Sequence, residues 1–104
     1  MTHKEIFNIL KMLDIPVAYD HFTSDKDVAP PFMAYRELGA DNFKADNKTY
    51  YRENEFEVEL ITLKKDVELE ERLEGLFDSN NIAYDKSDTI WDNDEEIYHI
   101  IYTI

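Results

Sequence analysis

The sequence predicts an α+β fold: one antiparallel or mixed sheet with two helices packed on a single face, in the order α-β-β-β-α-β-β. Three observations predict it. Two segments place apolar residues at helical spacing, Ile6, Ile9, Leu10 and Leu13 in the first and Leu69, Leu73, Leu76 and Phe77 in the second. The remaining apolar residues fall in short runs rich in aromatic and β-branched side chains. Within one of these, Glu55-Phe56-Glu57-Val58-Glu59-Leu60 alternates strictly, so the glutamates line one strand face and the apolar residues the other. Two helices that each bury one stripe, together with a sheet that buries one face, are satisfied by a two-layer sandwich with the second sheet face left free.

The elements follow in order. Thr2-His3-Lys4-Glu5 matches a capping box that starts the first helix, and Asp14-Ile15-Pro16 ends it. Residues 16–22 read as a short strand. Residues 23–31 form a polar loop closed by Pro30 and Pro31, and residues 32–38 read as the next strand. Residues 39–48 are a second polar stretch with one apolar aromatic, Phe43, at its middle. Residues 50–63 are the longest strand candidate. Asp66 is the expected N-cap of the second helix, with Glu68 and Glu70 in its first turn. Residues 78–81 turn the chain, a strand begins at 82–85, and the last strand covers residues 97–104. Its apolar residues occupy both faces, which suggests a central position or an outer face covered by a partner. Ile15-Pro16-Val17-Ala18-Tyr19-Asp20 and Asn81-Ile82-Ala83-Tyr84-Asp85 echo one another, each after a helix.

Length and composition bound the function. The 104 residues suffice for one domain, residues 1–104, with one modest core. Twenty-four acidic against 11 basic residues give a formal charge of −13, which disfavours phosphate backbones and anionic membranes. It favours solubility, a cationic partner, or a surface that repels nucleic acid. The absence of cysteine excludes disulfides, thiolate metal sites and Cys nucleophiles. The start, Met1-Thr2-His3-Lys4-Glu5, does not read as a signal peptide, and no apolar run approaches the ~20 residues of a membrane span. A protein made in the cytoplasm is the expectation.

No residue set reads as catalytic, metal-binding or cofactor-binding. His3, His21 and His99 share no ligand spacing. Asp92-Asn93-Asp94-Glu95-Glu96 lacks the glycine and the distal glutamate of a calcium loop and reads as a solvated hairpin tip. Gly39 and Gly75 stand too far apart for a phosphate cradle. The aromatics Phe32, Phe43, Tyr50, Tyr51 and Trp91 lie at strand starts or in loops. They either pack the loop roots or form a subunit interface.

These residues carry a resemblance. Pro16-Val17-Ala18-Tyr19 after an N-terminal helix, then Pro30-Pro31-Phe32-Met33-Ala34-Tyr35, resemble small structural proteins of tailed-phage and prophage tails. Asp41-Asn42-Phe43-Lys44-Ala45-Asp46-Asn47-Lys48 and Glu59-Leu60-Ile61-Thr62-Leu63-Lys64-Lys65-Asp66 continue the similarity, which spans nearly the whole chain. The family is that of tail-terminator or head–tail joining proteins. The resemblance implies an α+β fold and a non-enzymatic role in virion assembly. The protein would be made in the host cytoplasm and end in the virion, in a ring, typically a hexamer, at the head-proximal end of the tail. Its implied partners are further copies of itself, the major tail tube protein and head-completion proteins, with no cofactor, no membrane and no tight grip on DNA. On that reading Glu55, Glu57 and Glu59 face the ring lumen and repel passing DNA; otherwise they are a solvated sheet face. The alternative from another class is an acidic DNA mimic that inhibits a DNA-binding enzyme, resting on the net charge alone.

Overall fold

The computed structural model describes residues 1–22, 28–38 and 56–104. Phe43, Tyr50, Tyr51 and Glu55 lie outside these residues. The described chain runs α1 (His3–Lys11), β1 (Val17–Tyr19), β2 (Phe32–Glu37), β3 (Phe56–Thr62), α2 (Val67–Ser79), β4 (Asp85–Lys86), β5 (Ile90–Asp92) and β6 (Ile97–Thr103). The sheet order is β1-β2-β3-β6-β4, with β5 also paired to β6.

Local chemistry sets both helices. The Thr2 side chain accepts from the Glu5 amide at 3.1 Å, and Glu5 Oε1 accepts from the Thr2 amide at 3.3 Å, closing the capping box. Asp66 Oδ1 accepts from the Leu69 amide at 3.0 Å and starts α2. α2 runs to Ser79, into the stretch expected to turn, and Asn80 and Asn81 then end it. Each helix exit uses a residue in the left-handed region, Asp14 at φ 63° and Asn81 at φ 57°. Asp and Asn tolerate that region better than other non-glycine residues. The echo between the two post-helix segments is therefore physical: in both, a left-handed residue is followed by an isoleucine, Ile15 or Ile82, packed against the core.

Both helices cover the same sheet face. Ile6, Leu10, Leu73 and Phe77 are fully buried against Met33, Val58 and Tyr102 from β2, β3 and β6. Each such apolar side chain contributes about 1.5–3 kcal/mol relative to exposure. Arg72 of α2 donates to the Leu13 carbonyl at 3.3 Å and ties the second helix to the end of the first.

β2, β3 and β6 form an antiparallel centre, with Ala34 opposite Glu59 and Glu59 opposite Ile101. β6 lies inside the sheet, as its two apolar faces suggest. β1 is different: it runs parallel to β2, with Ala18 beside Ala34. A parallel pair needs a crossover connection in place of a tight turn. Both helices occupy one face, and the described ends of this connection, Phe22 and Val28, lie over the other.

The penultimate strand is bulged. Asp85 and Lys86 pair with Thr103 and Tyr102, whereas Ile90, Trp91 and Asp92 pair with His99, Tyr98 and Ile97, a register shifted by one residue. Ser87 bridges the shift: its amide donates to the Ile101 carbonyl and its Oγ accepts from the Ile101 amide, both at 2.9 Å. β4 and β5 are thus two halves of one edge strand, and the predicted order of elements holds. Residues 82–84, expected to begin that strand, do not pair; Ile82 and Tyr84 instead pack onto the core beside α2.

Candidate functional site

The free sheet face follows from the alternation. Phe56, Val58 and Leu60 enter the core, so Glu57 and Glu59 emerge on the face opposite the helices. They are not bare. Arg36 on β2 stands opposite Glu57 in the register and donates to its Oε1 at 2.7 Å. The same guanidinium donates through Nε to Asp20 Oδ1 at 3.1 Å and lies 3.7 Å from Glu59 Oε1. His99 on β6 donates from Nδ1 to Glu59 Oε2 at 2.8 Å, with Asp92 on its other side at 3.7 Å. His21 pairs with Asp20 at 2.8 Å. The result is a continuous chain of ionic contacts across four strands and the start of the crossover.

Its charge does not balance. Among the described residues, Asp20, Glu57, Glu59 and Asp92 face one permanent cation, Arg36. The hydrogen bonds from His21 and Arg36 hold the Asp20 carboxyl below its ordinary range. Arg36 is stabilised as a cation by the same partners, against the opposing effect of its own burial.

Beside this row lies a cavity of about 380 Å³. Phe22 and Val28 from the crossover, with Phe32, Ala34, Ile61 and Ile97 from the sheet, supply its apolar walls. Phe22 and Phe32 meet edge to face with centroids 5.3 Å apart. Asp20, His21, Glu59 and His99 complete the lining, and no Lys or Arg is among the described lining residues.

A second polar cluster joins α2 to the bulged edge. Glu70 is 3% exposed and held between Lys65 and Lys86, each at 2.9 Å. Glu74 accepts from Lys86 at 2.7 Å and from the Tyr102 hydroxyl at 2.6 Å. Burial opposes ionisation of Glu74, but the hydrogen bonds from Lys86 and Tyr102 prevail and keep its carboxyl below the ordinary value. Burial and the adjacent carboxylate push the Tyr102 hydroxyl far above the usual tyrosine range. Such a hydroxyl stays protonated and acts as a fixed donor. No buried side-chain nitrogen or oxygen among the described residues lacks a partner. This cluster fastens one helix to the sheet.

Of the aromatics singled out in the sequence, the two among the described residues, Phe32 and Trp91, are separated. Phe32 forms the cavity wall and packs against its own chain. Trp91 sits on the opposite face of the sheet, 48% exposed, with its ring 4.7 Å from Tyr98. The two do not form one patch. The hairpin tip at residues 93–96 is ordered by Asp92, whose Oδ1 accepts from the amides of Asp94 and Glu95 at 3.0 and 3.1 Å. The link of Asp20, Arg36 and His99 to the glutamates is not legible in the sequence, because it is made by the parallel placement of β1 and by the β2–β3 and β3–β6 registers. The sequence places Glu70 in the first turn of α2, where the helix dipole favours an anion, and does not single out Glu74. Only the position of Lys65 before the helix could have hinted otherwise.

Comparison of the chain with protein-family models, with curated proteins and with solved structures returns no match.

Proposed function

We propose that the protein is a non-enzymatic component of phage or prophage virion assembly, a tail terminator or head–tail joining protein that acts as a ring at the head-proximal end of the tail. The reading rests on the sequence resemblance described above. The structural observation that carries it is the exposed Trp91, 48% accessible, on the bulged edge strand. A large aromatic left half open is the kind of anchor that subunit contacts use. A closed ring needs two different patches on each subunit, and an edge that carries such an anchor supplies one of them. The carboxylates of the open face fit a lumen that does not hold DNA, because among the described residues four acidic groups outnumber one guanidinium there.

The pairing of that face disfavours the alternative of a DNA mimic. A mimic presents free carboxylates at phosphate-like spacing to a basic cleft, whereas Glu57 and Glu59 are already engaged by Arg36 and His99.

The test is to add the purified protein to polymerising tail tube protein and image the products by electron microscopy. Rings seated at tube ends and a shortened length distribution are expected, with Trp91→Ala requiring at least tenfold more protein for the same effect. Tube lengths unchanged by a molar excess of the wild-type chain overturn the proposal.

A further inference from the structure

The cavity on the open face joins two of that face's carboxylates to an apolar lining. Its walls are apolar, two of them aromatic, and its polar lining consists of two carboxylates and two histidines. We propose that this cavity is a binding site for an organic cation, an ammonium group on an apolar stem.

Size is the first argument. A volume of about 380 Å³ lies within the ~300–1,000 Å³ typical of small-molecule sites. It accommodates an arylalkylamine or an extended lysine side chain. The second argument is the free valence of Glu59. Its Oε2 takes the short bond from His99, but its Oε1 has only Arg36 at 3.7 Å, beyond hydrogen-bond reach. Glu59, which lines the cavity, is thus engaged by His99 through one oxygen, while its other oxygen has no donor closer than 3.7 Å among the described residues. Third, the Phe22 and Phe32 rings offer faces and edges to the same space. Aromatic faces attract cations by about 0.5–2 kcal/mol, more as water is excluded. Fourth, Asp20 and Glu59 line the cavity, and no Lys or Arg is among its described lining residues.

The same charges argue against the protein's own edge as occupant. Trp91 is followed by Asp92-Asn93-Asp94-Glu95-Glu96, and bringing that tip to Asp20 and Glu59 would set acid against acid. An anionic or phosphorylated ligand meets the same repulsion. The ammonium group can come from a free amine or from a lysine of a partner protein, and the two share one recognition chemistry.

Isothermal titration calorimetry with three ligands of one shape tests the site: tryptamine, its neutral alcohol and its carboxylate analogue. Saturable one-to-one binding in the order amine, alcohol, acid is expected, with at least tenfold between the first and the last. Glu59→Gln should weaken the amine about tenfold and leave the alcohol unchanged. Ala34→Leu, which fills the cavity floor, should abolish binding of both. A lysine-bearing pentapeptide then distinguishes the sources. If it competes with tryptamine the site reads a protein side chain, and if only the free amine binds it reads a small molecule; either result supports a cation site. Absence of saturable amine binding, equal binding of the acid, or amine binding indifferent to Glu59→Gln overturns it. Should a variant fail to fold by circular dichroism, the order of the three ligands on the wild-type chain still decides.

Discussion

Glu74 and Lys86 show how a charged pair can be of use at the margin of a core. Both ionisations are favoured in the folded chain: the Glu74 carboxyl lies below its ordinary 4.5, and the Lys86 ammonium, held first by its bond to Glu74, lies above its ordinary 10.5. The signs follow by linkage. The contribution of Glu74 is complete above pH 4.5 and is lost as the pH falls through its lowered folded value. That of Lys86 is complete below pH 10.5 and is lost as the pH rises through its raised folded value. Stability measured by urea unfolding should therefore hold a plateau between these limits, and Glu74→Gln should flatten the acid limb. Tyr102→Phe removes a hydroxyl that donates to the carboxylate at 2.6 Å without changing the ring. A loss of about 1.5–3 kcal/mol is expected, the usual size for a hydrogen bond to a charged group. None of this was legible in the sequence, because Glu70 and Glu74 fall among other acids on a helix whose outer face is plainly solvated. What distinguishes them is the approach of β4, and β4 is placed by pairing with the distant β6.

At the scale of elements, the sequence was read well wherever the signal was local. The capping box of α1, the Asp66 cap, the apolar stripe of α2 and the alternation of β3 are properties of a few consecutive residues, and the structure places each of them as read. It was read less well where pairing decides. The stretch at 82–84 looks extended and apolar, yet the strand starts only at Asp85, because Asn81 leaves α2 in a left-handed turn that sends Ile82 and Tyr84 onto the core first. Asn81→Ala should cost about 1 kcal/mol and Asn81→Gly little or nothing, since only the former puts a Cβ without polar compensation at φ 57°. The bulge gives a second expectation. Ser87→Ala deprives the Ile101 amide of its acceptor and should cost about 1 kcal/mol, with faster amide hydrogen exchange confined to β4 and its neighbour on β6.

The whole molecule carries a charge of −13, and among the described residues acidic groups stand on the helices, the hairpin tip and the open face. Self-repulsion of this kind opposes compaction and is screened by salt. The thermal midpoint should therefore rise when NaCl goes from about 0.01 to about 0.15 M, over which the screening length shrinks from about 30 to about 8 Å. The free sheet face was legible as a face, since alternation alone sends Glu57 and Glu59 away from the core. The cavity on it was not. It arises from β1 running parallel to β2, and no spacing in residues 16–22 distinguishes that direction from the opposite one. The kink at Ser87 has a consequence for how copies of this chain can meet. A straight edge invites a neighbour to zip on strand by strand, without limit, into a fibre. Here the outermost ribbon is interrupted after two residues and resumes one position out of step. At this edge a newcomer finds no unbroken backbone to extend and has to grip by its side chains, a form of contact that can close on itself and stop.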